Sequence, residues 1–492
     1  MNHLYRKTPI MGWSSWNCFR TNISEEKIKA QIDALINTGL AECGYEYVNM
    51  DDGFFGGRGN DGRLLMHKER FPNGIKVIAD YAHEKGLKAG IYSEGGDKTC
   101  GYYYDNEGDN GANVGLYGYE EQDLTMYLEE FGFDFIKVDW CGGLRLGLDE
   151  KEQYTKIGKI IEDIRNRTGR CIVYNICRWQ FPGEWAAEVA DSWRIGADIA
   201  PDFKSVLHQV DSAKPLARYC GPGHVNDLDM MQIGNGMGLV DEQTHFTMWC
   251  MMSTPLVIGC DLTRIKPETL EILKNKELIA INQDSACLQA YVIKEFRAEN
   301  GELLGEVWIK DLGKKASNQK AVAFLNRSDK PLEMSLDFSE AGLTGRILSI
   351  RDLLKNEDAE CDSSMKLIVQ PHEAPAFKVI SEYSTEVPSI SDKNEIFQKT
   401  VIKISMTEAE ELMKRGAYLI DVRERHEYAE KHIDGAINIP YTDIHAIAGH
   451  FISDKTKDII VYCSTGKRSS QAVTSLRYLG YENIYYLGGI KM

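Results

Sequence analysis

Up to about Asp284 the chain repeats one unit: a short apolar run, a loop rich in Gly, Asp, Trp or Cys, and a stretch of helical period. The apolar runs are "PIMGWSSW", "YEYVNMDD", "LKAGIYSE", "FDFIKVDW", "RCIVYNIC", "SWRIGADI", "ARYCGPG" and "PLVIGCD". Strands alternating with helices imply a parallel sheet, and eight such units are the number that closes a (β/α)8 TIM barrel. The clearest helix is expected after Ser24 as N-cap, with Ile28, Ile32, Leu35 and Ile36 on one face and Gly39 ending it. In such a barrel the strand bodies are packed core, and their carboxyl ends carry the groups that line a site. The run "FDFIKVDWC" has that form, because it is apolar yet stops on charge. Lys137 and Asp139 lie two apart, so the strand period points both inward and turns Val138 toward the surrounding helices.

At 492 residues the chain is too long for one domain. The barrel is expected over 1–285. An antiparallel β-sandwich follows over 286–380, where "GEVWIK", "KAVAFLN", "PLEMSLDF" and "KLIVQ" alternate with turn residues. Residues 381–398 read as a polar linker. Residues 399–492 read as a small α/β domain built from "TVIKIS", a helix opened by a Thr407/Glu410 capping box, "AYLIDVR", "DIIVYC" and "NIYYLGG".

A net charge of -17 makes the average surface repel nucleic acid and anionic membranes, which leaves a neutral small molecule as the expected partner and a homo-oligomer open. The amino terminus lacks the apolar core of a signal peptide, so a cytoplasmic location is expected. The 12 cysteines form no CxxC pairs and read mostly as reduced core residues.

Four strand ends supply charge: Asp51 and Asp52, Lys137 and Asp139, Arg194 and Asp198, Asp227 and Asp229. Any one of them fits a solvated loop, and Asp227 or Asp229 fits a turn, but buried charge at successive barrel strand ends is costly unless it is used. With Trp13, Trp16, Tyr92 and Trp179 in the neighbouring loops, paired carboxylates suit glycoside chemistry. Asp139, beside Lys137, is the expected nucleophile, since a cation keeps it ionised. Asp198 is the candidate acid/base, with Arg194 turned toward substrate rather than toward Asp198. No metal or cofactor is expected, because the carboxylates are dispersed and no His is spaced to join them.

The ordered motifs "MGWSSWNCF", "YVNMDDGF", "GIYSEGGDKTC", "IKVDWC", "SWRIGADI", "GPGHVNDLDMMQIGN", "PLVIGCDL" and "NKELIAINQD" resemble glycoside hydrolase family 27, the α-galactosidases and α-N-acetylgalactosaminidases. The resemblance implies a retaining mechanism with Asp139 as nucleophile and Asp198 as acid/base. It also implies Asp51 and Asp52 on the 4- and 6-hydroxyls of galactose, Lys137 on the 3- and 4-hydroxyls, and Arg194 near the 2-hydroxyl. Trp16, Tyr92 and Met230 would contact the sugar, and Cys100 with Cys141 matches a disulfide of many relatives. Where the α-galactosidases usually read Cys-Glu-Trp, this chain has Cys177-Arg178-Trp179. Arg178 either salt-bridges a neighbour such as Glu184 or recognises a substituted or acidic sugar. The small residues that accommodate an N-acetyl group are absent, and retention of Asp51 argues against the arabinopyranosidase members, so D-galactose is the expected ring.

A second constellation is "DIIVYCSTGKRSS", where Cys463 ends a strand and Lys467 and Arg468 precede a helix. A lone Cys there is ordinarily core, but amides, a helix amino terminus and two cations would lower its pKa and cradle an anion. With "LIDVRERHEYAEKHIDGAINIP" before it, the segment resembles the single-domain rhodanese family, which implies a persulfide-carrying Cys463 and a structural Asp421/Arg423 pair. The chain ends soon after "LGGIKM", where rhodanese domains commonly continue, so binding or sensing stands beside sulfur transfer. A carbohydrate-binding protein on a degenerate barrel is the non-enzyme alternative, and the intact carboxylate pair weighs against it.

Overall fold

The computed structural model describes residues 6–390 and 402–490. The chain forms two compact units, one of Met1–Ile195 with Tyr219–Cys287, the other of Gly196–Arg218 with Leu288–Met492.

The first unit contains an eight-stranded parallel sheet: β1 (Met11–Ser14), β2 (Tyr47–Met50), β3 (Lys88–Glu94), β4 (Phe135–Asp139), β5 (Val173–Ile176), β6 (Ser192–Arg194), β7 (Val225–Asp227) and β8 (Leu256–Ile258). Its order is β8-β1-β2-β3-β4-β5-β6-β7, and an isolated parallel bridge to Ile258 of β8 comes from Met231, in the loop beyond β7. Seven of the eight expected runs form strands. The exception is "ARYCGPG": Lys214–Tyr219 is a 3-10 turn, and the seventh strand is the three residues "VND" a few positions later.

Helices α1 (Glu25–Asn37), α2 (Cys141–Leu146), α3 (Glu150–Thr168) and α4 (Phe203–Ala213) follow from local signals. Ser24 caps α1 by accepting the Lys27 amide, Ile28, Ile32 and Leu35 are buried, and Gly39 takes φ 77° just beyond the end. Each fully buried Ile or Leu contributes roughly 1.5–3 kcal/mol relative to exposure. Trp13, expected in a loop, is instead core: it is fully buried in β1 and its Nε1 donates to Cys260 O at 2.7 Å.

In the second unit a six-stranded antiparallel sheet and a two-stranded ribbon enclose Val307, Val322, Phe324, Met334, Leu336 and Phe377. Of the expected linker, 381–384 belong to the strand Ala376–Ser384, and 391–398 lie outside the described residues. Helix α4 joins this unit through a buried network of two acids and two cations. Arg327 donates to both oxygens of Asp211, at 2.9 and 2.6 Å, and to Glu306 at 2.9 Å, while Lys214 sits 2.7 Å from Asp211 and also contacts Glu306.

A five-stranded parallel sheet completes the unit, with Asp458–Cys463 near its centre. Its first helix, Met406–Lys414, is opened by a Ser405/Glu408 capping box rather than by Thr407/Glu410. Among the described residues no helix is long and apolar enough to cross a membrane.

Candidate active site

A pocket opens within the barrel among the strands and their carboxyl ends. Asp51, Tyr92, Lys137, Asn175, Arg194, Asp227, Asp229 and Met230 line it. Pleating explains the inward set, because Phe135 and Lys137 share one face of β4 while Val138 is buried on the other. Lys137 Nζ donates to Asp51 Oδ2 at 2.9 Å and lies 3.7 Å from Asp139 Oδ2. Burial alone would discharge this lysine, but Asp139 and Asp51 outweigh it and hold the ammonium well above its ordinary range.

Asp51 and Asp52 are buried and differ in their partners. Asp51 divides its oxygens between Lys137 and the Asp52 amide. Asp52 Oδ2 accepts the Gly101 amide at 2.7 Å and Oδ1 the Gly53 amide at 2.8 Å. Burial pushes Asp52 up to about 7, with Asp51 adding to the rise and the amides opposing it. Tyr92 is buried, accepts the Cys100 amide at 3.1 Å, and places its ring 5.5 Å from the Lys137 ammonium. Trp16 is half-buried against Ile10, Phe135 and Met230 at the same end of the barrel.

Cys100 and Cys141 are disulfide-bonded, with Cα atoms 5.4 Å apart, and Cys100 Sγ lies 3.2 Å from Asp139 Oδ2. Glu94 converges on the same sulfurs, but they are bonded to each other and offer no thiolate to a metal.

Arg194 is buried and pairs with Asp229 at 2.7 Å. Asp227 and Asp229, read in the sequence as strand-end charge with a turn as the alternative, both line the cavity. Asp229 takes φ 84°, its amide donates to Asp227 Oδ1 at 2.9 Å, and its own Oδ1 accepts the Met230 amide at 2.7 Å. Asn175 bridges Ser192 and Asp227, at 2.8 Å to each. Arg178 forms an ion pair with Glu150 at the start of α3, and Glu184 accepts the Tyr219 hydroxyl at 2.7 Å. Asp198 is exposed, four residues beyond Arg194 in the segment that belongs to the second unit.

The family model for alpha galactosidase A matches residues 8–284, and that for the alpha galactosidase C-terminal β-sandwich matches 305–379. The chain belongs to the α-galactosidase family of glycoside hydrolases. Alpha-galactosidase A of Cellvibrio japonicus is 39% identical over 346 residues, covering 68% of this chain and 79% of that protein. An alpha-galactosidase of Oryza sativa subsp. japonica is 36% identical over 376 residues, 75% of this chain and 84% of that one. The solved structure of alpha-galactosidase I from Mortierella vinacea superposes with a TM-score of 0.68 at 28% identity, covering 78% of this chain and all of that one.

This α-galactosidase-family chain carries a rhodanese-like domain, matched over 405–491. There Cys463 is buried, and its Sγ accepts the Gly466 amide at 3.0 Å, with Gly466 at φ 89°. Arg468, expected to face a bound anion, pairs with Glu427 and donates to Ser464 Oγ at 2.9 Å. Asp421 holds Arg423 in a buried pair at 2.6 Å, supporting the loop between strands.

Proposed function

We propose a retaining exo-α-galactosidase that acts inside the cell on terminal α-D-galactosyl residues of short oligosaccharides. Asp139 attacks the anomeric carbon while Asp198 gives its proton to the leaving oxygen, which forms a glycosyl-enzyme. Asp198 then takes a proton from water, which releases galactose with its configuration kept. The observation that carries the nucleophile is the Lys137 ammonium 3.7 Å from Asp139 Oδ2, a neighbour that favours the ionised acid. Asp198 takes its role from the family motif "SWRIGADI". Asp51, Asp52, Lys137 and Arg194 bind the ring hydroxyls, and Trp16, Tyr92 and Met230 pack on the ring. The Glu150 partner neutralises Arg178, which favours plain galactosides over acidic or N-acetylated ones.

Asp139→Asn should abolish release of galactose from an aryl α-galactoside, and NMR of the wild-type reaction should show the α-anomer first. Normal turnover in the variant, or β-galactose as first product, refutes the proposal.

A second activity is favoured by the amide aimed at Cys463 Sγ, a contact that stabilises thiolate or persulfide. Cys463 would take the outer sulfur of thiosulfate, release sulfite, and pass the sulfur to cyanide as thiocyanate. Loss of that transfer in Cys463→Ala, with galactosidase activity intact, is the expected result.

A further inference from the structure

Glu94 ends β3 directly beside Asp139 at the end of β4, and the two are register partners. It is fully buried and does not line the cavity. Both carboxyl oxygens are engaged by backbone amides: Oε1 accepts from Gly96 at 2.9 Å and Gly143 at 3.2 Å, and Oε2 accepts from Cys141 at 2.8 Å. The Gly95 amide donates to the Asp139 carbonyl at 2.9 Å. The glycine pairs of "SEGGD" and "DWCGG" permit this approach, since a Cβ on Gly96 would lie 2.2 Å from the Gly143 nitrogen.

We infer that Glu94 is a positioning residue for Asp139: its carboxyl clamps the turn at 141–143 and so fixes the direction of the attacking oxygen. This rests on Asp139 being the nucleophile. The disulfide also ties Cys141 to Cys100, but a single covalent tether leaves the turn free to pivot, whereas the amide bonds from Cys141 and Gly143 hold it at two points and the Gly96 amide fixes Glu94 itself. A buried carboxylate is costly, and burial together with Asp139 pushes Glu94 up to about 8 despite the three amides. Such a group at this place serves geometry that a cheaper apolar side chain would not supply.

The test is Glu94→Gln in the full chain, assayed above about pH 8, where Glu94 is an acceptor-only carboxylate and the replacement turns an amide donor toward the Cys141 N–H. Misplacing a reacting group by about 1 Å costs on the order of 10²-fold in rate. A fall in kcat of roughly 10- to 100-fold with KM within about threefold is therefore expected. Glu94→Asp, which keeps two acceptor oxygens, should retain more activity.

The decisive measurement uses Asp139→Gly with azide as external nucleophile, forming β-galactosyl azide. A nucleophile from solution does not need the clamp, so Glu94→Gln added to Asp139→Gly should leave the azide reaction within about twofold. A further drop in the double variant, or full kcat in Glu94→Gln alone, overturns the inference and leaves the nucleophile standing. No azide product from a folded Asp139→Gly removes the nucleophile, and the inference with it.

Discussion

Two groups of buried charge in this chain have opposite compositions. In the second unit Asp211, Glu306, Lys214 and Arg327 are two anions against two cations, each held by the others at hydrogen-bond distance. At the strand ends of the barrel Lys137 meets Asp51 and Asp139, Asp52 lies next to Asp51 and Glu94 next to Asp139, while Arg194 pairs with Asp229. Both groups are almost fully buried, so burial does not distinguish them. Balance does. A neutral network repays part of its desolvation by mutual attraction and serves structure. A surplus of carboxylates raises proton affinities, which fold stability does not require and acid–base chemistry does.

The largest effects come from making the same change in each group. Asp139→Asn removes surplus charge, and the proposed chemistry with it. Turnover should fall by a factor on the order of 10⁴ or more while Tm holds or rises. Asp211→Asn instead leaves Arg327 and Lys214 sharing one acid. It should cost about 3–5 kcal/mol of stability, the usual result of breaking a buried pair, read as a lower urea midpoint. If Asp139→Asn destabilises as much as Asp211→Asn does, the distinction by charge balance is wrong.

The barrel was readable because its strands are buried on both faces and so appear as continuous apolar runs, with charge only at their ends. The seventh strand was not: "VND" carries two polar residues and forms because β6 pairs with it, a tertiary effect that overrides propensity. The capping box slipped because "SMTEAEE" fits the S/T-x-x-E pattern both at Ser405 and at Thr407, and only packing selects between them. Lys137, Asp51 and Asp139 were legible as strand-end charges. Glu94 was not legible as a site residue, since its partners are main-chain amides as far as 49 residues away, which leave no mark in side-chain spacing. Asp229 read both as strand-end charge and as a turn residue, since its neighbours are turn-like, and the Glu150 partner of Arg178, 28 residues upstream, left no local mark.

The surplus also predicts a pH dependence of intermediate size. Asp52 and Glu94 are raised to about 7 and about 8, so the folded state holds these protons more tightly than the unfolded chain. Stability from each is therefore lost as pH rises from its unfolded value, near 4, to its folded one, at about 1.4 kcal/mol per pH unit. His208 and His245 are buried and lowered to about 4 and about 3, so they act oppositely, costing stability as pH falls below about 6.5. The two pairs cancel between about pH 5 and 6.5, and the carboxylates win above. Urea titrations should show a plateau followed by a decline to about pH 8. In Asp52→Asn the plateau should be replaced by a rise of roughly 1.4 kcal/mol per unit between about pH 5 and 6, where Asp52 is protonated in the folded state and ionised in the unfolded one. An unchanged slope would mean that Asp52 is ionised in the folded protein.

The smallest effect sharpens the comparison by removing burial. Lys204, in α4, meets Asp443 of the rhodanese-like domain at 2.6 Å, a pair as well balanced as the Arg327 network, but the lysine is 47% exposed. Water already solvates that ammonium, so pairing recovers little, and ordering a long side chain opposes even that. A double-mutant cycle with Lys204→Ala and Asp443→Ala should give a coupling of only about 0.2–1 kcal/mol, falling further in high salt. Asp443 also faces Arg425 at 3.5 Å, so Asp443→Ala alone should cost somewhat more than Lys204→Ala. If the coupling instead approached that of Asp211 with Arg327, balance alone would set the strength of these pairs. Burial would then have no part in separating structural charge from functional charge in this chain.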